Sequence, residues 1–99
     1  MTRGTTPTHR FTLPVDADRA SKIRVLYAQD GNPVLRLDTD RFALEGRTAR
    51  VKLTQEETLK FDETKLVEIQ LRVLTTDGDS LVSNVKWVSV NRLLEDEVL

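Results

Sequence analysis

The chain has 99 residues, with 15 Lys and Arg against 16 Asp and Glu, a formal net charge of -1 and no cysteine. That length makes one domain burying roughly two thirds of its unfolded surface. The balanced charge excludes a general field for nucleic acid or an anionic membrane, and the absent cysteines exclude disulfides and thiolate metal sites.

The opening MTRGTTPTHR has no apolar signal core, and no run approaches the ~20 apolar residues of a membrane helix. The expectation is therefore a chain with neither a signal peptide nor a membrane span. Residues 1–8 are small and polar around Gly4 and Pro7 and read as an extended N-terminal arm that only a neighbour would order. Phe11, Leu13 and Val15 then alternate with Arg10, Thr12 and Pro14, which predicts a first strand; Pro14 lacks a donor and suits a sheet edge or a strand end. Ile23, Val25 and Tyr27 alternate within residues 22–29. The turn residues Asp30, Gly31, Asn32 and Pro33 follow, and residues 34–38 complete a hairpin. Residues 42–45 form a short strand, Gly46 a turn, and Ala49, Val51 and Leu53 mark a fifth strand.

Thr54 followed by Glu57 is a capping box, which satisfies the free backbone donors at a helix start and predicts one short helical turn near residues 55–60. Leu59 and Phe61 would plug the core beneath it. The strongest pattern spans residues 65–90. Val67, Ile69, Leu71 and Val73 alternate with Glu68, Gln70 and Arg72, a period of two that buries one face of a strand. Asp77 and Gly78 lie between this run and a second β-rich run at residues 81–90, which predicts a hairpin with Val25, Val51, Val88 and Val90 among its core partners. Residues 92–99, RLLEDEVL, form a C-terminal tail. About seven short strands in residues 9–91 predict an all-β, immunoglobulin-like antiparallel sandwich, with a small barrel as the alternative.

No stretch carries a catalytic motif. His9, the only histidine, falls beside the arm, where it would be a solvated surface residue rather than the base of a nucleophile. The pairs Asp16/Asp18, Asp38/Asp40 and Asp77/Asp79 sit at predicted turns, where aspartate caps local backbone donors, and no EF-hand pattern follows them. A sandwich this small offers no deep cleft for paired carboxylates. No enzyme activity, cofactor or metal is expected. Trp87 is either a buried core residue or, if exposed, an interface anchor, because Val88 and Val90 take one face of their strand while Trp87 and Ser89 take the other.

Basic residues Arg3 and Arg10 lie at one end of the chain, and Glu95, Asp96 and Glu97 at the other. An arm from one copy, adding to the sheet edge of the next, would set those charges together. Arg3, Thr5, Thr6, Thr8, Arg10, Trp87, Glu95, Asp96 and Glu97 are accordingly the candidate partner-binding residues.

Four stretches, GTTPTHRFTLP, LTQEETLKF, VEIQLRVLT and VSVNRLLEDEVL, together resemble a family of small proteins encoded in phages and prophages of Gram-positive, Clostridium-like bacteria. The resemblance covers nearly the whole chain. It implies a structural component of the virion, made in the host cytoplasm and assembled in many copies with other phage structural proteins: capsid decoration, neck, tail or baseplate. It implies no catalytic residue. A carbohydrate- or host-surface-binding module, with Trp87 and Tyr27 stacking on sugar rings, and a small regulatory protein acting in the host are the competing expectations.

Overall fold

Alternation decides which side of each strand is buried, and the strand from Val67 to Thr75 shows it most clearly. The computed structural model describes residues 1–99. In it Val67, Ile69, Leu71 and Val73 are all buried while Arg72 between them is exposed. Numbering the strands in chain order, they are β1 (Thr8–Thr12), β2 (Ala20–Gln29), β3 (Asn32–Asp38), β4 (Ala43–Glu45), β5 (Thr48–Lys52), β6 (Val67–Thr75), β7 (Ser80–Val82) and β8 (Lys86–Val88). They form two antiparallel sheets. The larger has the order β3-β2-β6-β7, with β8 also paired to β6, and the smaller has the order β1-β5-β4.

In the larger sheet Ile23, Val25 and Tyr27 of β2 face the same side as the buried row of β6, to which they are directly paired. The loop between β2 and β3 holds only Asp30 (φ 51) and Gly31 (φ 73). Two consecutive left-handed residues make a type I′ turn, which matches the twist of the strands it joins and favours this Asp-Gly pair. In the smaller sheet the β1–β5 pairing continues past both strand ends: Leu13 N–H donates to the Arg47 carbonyl at 2.7 Å and Leu53 N–H to the Pro7 carbonyl at 2.9 Å.

The inner faces meet in a cluster of 16 buried apolar residues drawn from both sheets, including Leu13, Val51 and Leu53 from the smaller and Val25, Leu37 and Leu71 from the larger. Phe61 closes it, with its ring edge-on to Tyr27 at 5.9 Å. The helix α1 (Gln55–Thr58) sits between β5 and β6, and both hydrogen bonds of its capping box are present. The fold is thus the all-β sandwich expected, with the helical turn in place.

Three expectations are corrected. The run at residues 81–90 is not one strand: Arg72 pairs with Val82 but Glu68 pairs with Trp87, so one extra residue has entered the outer strand. This is a β-bulge. It divides the strand into β7 and β8 and raises the count to eight. It also changes parity, so that Leu81, Val88 and Val90 can all turn inward while Trp87 turns out. The first strand begins at Thr8 and ends at Thr12, short of Val15. Residues 1–7, expected to lack order without a neighbour, are bonded to their own chain.

Candidate surfaces on the larger sheet and at the termini

Most of the inner face of the larger sheet is packed into the core, so its broadest surface toward partners is the outer face. There the strand register sets Arg24 beside both Asp38 and Arg72, and Glu68 beside Trp87. The Arg24 Nε lies 2.7 Å from Asp38 Oδ1. At the other end of the face, Gly31 N–H donates to Glu68 Oε1 at 2.8 Å, which ties the β2–β3 turn to β6. Trp87 of β8 is 60% exposed, with Val82 of β7 and Val85 between the two strands also exposed. Of the two readings of Trp87, the exposed one holds. Tyr27 is fully buried on the opposite face, so the expected pair of Trp87 and Tyr27 as a sugar-stacking platform does not form. An open depression of about 600 Å³ lies where Lys22, Arg24 and Arg72 meet Asp38 and Asp40, and its charges of both signs leave no strong preference for an anion.

His9 is not a solvated surface residue. Its Nδ1 shares a 2.7 Å hydrogen bond with the Tyr27 hydroxyl, and burial, aided by the positive Met1 amino group, lowers its pKa. Burial raises that of Tyr27. Both groups are therefore neutral near neutral pH. No carboxylate orients the imidazole, so its geometry is that of a packed side chain.

Close by, a pair that the sequence pattern did not single out joins α1 to the turn before β4: Arg41 donates from both terminal nitrogens to Glu57, at 2.7 and 2.8 Å. Thr54 N–H also donates to Glu57 Oε1 at 2.8 Å, and the Arg41 guanidinium together with Thr54 brings the Glu57 pKa down to about 2. The capping box made Glu57 legible only as a helix cap. Its partner arrives from a 3-10 turn (Thr39–Arg41) far away in sequence, and no local signal marks it. The D-x-D pairs lie at turns as expected, but neither Asp16 nor Asp38 caps a backbone donor with its side chain; Asp38 accepts from Arg24 and Asp77 from Arg19 instead. No group of three or more His, Cys, Asp or Glu side chains is arranged to hold a metal ion.

The termini meet within one chain. Arg3 donates from Nη1 to Asp96 Oδ1 at 2.6 Å and from Nη2 to the Leu59 carbonyl at 2.9 Å, with its side chain only 15% exposed. Thr2 and Asn91 form a parallel bridge, the Met1 amino group donates to the Ser89 carbonyl, and Thr58 Oγ1 donates to the Thr5 carbonyl at 2.8 Å. Gly4 has φ +75, a left-handed conformation that favours glycine, and a Cβ there would sit 2.7 Å from Leu93 Cδ2 and displace that side chain. The expected attraction between arm and tail exists, but inside the chain. Thr5, Thr6, Thr8 and Arg10 remain exposed on one side, and Glu95 and Glu97 on the other. No family model, curated protein or solved structure matches this chain.

Proposed function

We propose that the chain is a non-enzymatic structural component of a bacteriophage particle, present there in many copies, and that it meets other structural proteins through the outer face of its larger sheet. The observation that carries this reading is the exposure of Trp87 on β8 together with Val82 on β7 and Val85 between the two strands. A large aromatic held in water on a rigid strand costs solvation that docking recovers, which is why tryptophan anchors interfaces so often. The phage setting rests on the resemblance of the four stretches quoted above. Made in the host cytoplasm, the chain would finish in the virion.

Mass spectrometry of purified particles is expected to find the chain in stoichiometric amounts, and Trp87→Ala to reduce its incorporation while leaving the purified domain folded. Particles rich in their major structural proteins but lacking this chain would overturn the reading. A carbohydrate-binding module is the second reading, favoured by the same exposed indole. With Tyr27 buried, a single ring must carry the stacking. Saturable binding on a glycan array that disappears in Trp87→Ala would select this second reading.

A further inference from the structure

The sandwich is open along the side where β1 faces β7 and β8. A groove of about 300 Å³ runs there, floored by Phe11, Ile69, Leu71 and Val88 and rimmed by Arg10 and Lys86. It continues past Thr12 and Ser83 into a further stretch of about 270 Å³ beside Pro14 and Leu81. No acidic residue lines either part. Each flanking strand is a sheet edge, β1 of the smaller sheet and β7 with β8 of the larger, so each carries main-chain groups free to pair with an added strand.

The complementary chemistry lies on residues 94–99. Leu94 is 89% exposed and Leu99 fully so, Val98 is half exposed, and the acidic run Glu95, Asp96 and Glu97 stands between them. This tail is held in place by the Arg3–Asp96 pair, by Leu93 packed on Gly4, and by Leu99 N–H donating to Gln55 Oε1 at 2.7 Å. A segment already ordered loses less entropy on docking than a free one. None of its residues lines the groove of its own chain. Arg10, Lys86, Glu95 and Glu97 all lie outside the ion pairs of the chain.

We propose that the groove between β1 and β8 receives residues 94–99 of a second copy of this chain. The apolar side chains of that tail lie on the Phe11 and Ile69 floor, and Glu95 and Glu97 meet Arg10 and Lys86. Groove and tail are different surfaces, so the contact is heterologous and propagates into a ring or a filament. This deepens the multi-copy reading above, on which it rests, by naming the contact between copies.

Sedimentation velocity of the full chain from micromolar to millimolar concentration tests it. Association is expected that weakens as salt rises, is lost when residues 94–99 are deleted, and is inhibited by the free peptide RLLEDEVL. The double variant Arg10→Glu/Lys86→Glu is expected to be monomeric alone, as is Glu95→Lys/Glu97→Lys, while a mixture of the two associates because each groove again faces a tail of opposite charge. Circular dichroism confirms that each variant is folded. A full chain that stays monomeric at millimolar concentration, association that survives tail deletion, or a mixture that remains monomeric overturns the proposal. If particles nevertheless contain the chain stoichiometrically, the structural-component reading stands and only this contact falls.

Discussion

Glu57 shows how one side chain serves two purposes. It completes the capping box with Thr54 and accepts the forked Arg41 guanidinium, so it links α1 to the turn before β4. Its pKa of about 2 in the folded chain lies below that of a glutamate in the unfolded chain, near 4.3. The stabilisation is therefore complete above about pH 4.3 and is lost as pH falls toward 2, because the unfolded chain takes up the proton first. Glu57→Gln keeps the box but loses the charge, and it is expected to cost about 1–2 kcal/mol at neutral pH; partial exposure of Arg41 keeps the figure toward the lower end. Urea denaturation should show the gap between wild type and variant closing in acid, and a gap unchanged at pH 3 would mean the Arg41 pair is not its source. Thr54→Ala, which opens the box itself, should cost about 1 kcal/mol at neutral pH. The His9 pKa is lowered, so folding favours its neutral form: that contribution is present above the ordinary value of 6.5 and declines as pH falls below it. His9→Gln should flatten this part of the stability profile.

The outer strand of the β6 hairpin is where local pattern and tertiary structure differ most. Ser83 N–H donates to the Leu71 carbonyl at 2.9 Å, and Leu71 N–H donates not to a backbone carbonyl but to Ser83 Oγ at 3.0 Å. The side chain thus substitutes for the ladder group displaced by the bulge. Ser83→Ala would leave a part-buried amide without its partner and should cost about 1–2 kcal/mol, measurable by equilibrium denaturation; no loss would mean that water replaces the hydroxyl. Leu71→Ala, on the buried face of the same pair, should cost about 2–5 kcal/mol. A loss below ~0.5 kcal/mol would contradict the burial of Leu71. The period-two runs, the Asp-Gly turn and the capping box were legible in the sequence because each is a local pattern with a local cause. The bulge was not, because residues 81–90 remain β-rich throughout. Only pairing with β6 reveals that Leu81 and Val88, seven positions apart and so of opposite parity, must both turn inward.

The termini of the chain meet on a flattened molecule measuring 46 × 27 × 15 Å. Their opposite charges were visible in sequence, and so was the exposure of Trp87 as one of two options. That Arg3 reaches Asp96 of its own chain was not visible, because it follows from the path of residues 89–91 past Met1 and Thr2, a non-local pairing with no pattern of its own. The arm is therefore part of the folded domain, and removing it has a structural cost. Deleting residues 1–6 keeps Pro7 and the whole of β1 but removes both Arg3 hydrogen bonds, the Thr2–Asn91 bridge and one of the two acceptors of Thr58 Oγ1. Arg3 is mostly buried, so its bond to the Leu59 carbonyl and its charge-assisted bond to Asp96 are partly shielded from water. Set against the chain entropy recovered when six residues are no longer held, the net loss should be about 2 kcal/mol, or roughly 8–16 °C in Tm for a domain of this size. Arg3→Ala alone should account for about half of it. Thermal melts of the three proteins followed by circular dichroism would decide the matter. A truncated chain melting within a couple of degrees of the full one would show that the termini are held too weakly to contribute, and hydrogen exchange at Arg3 and Asn91 should then be as fast as in an unfolded peptide.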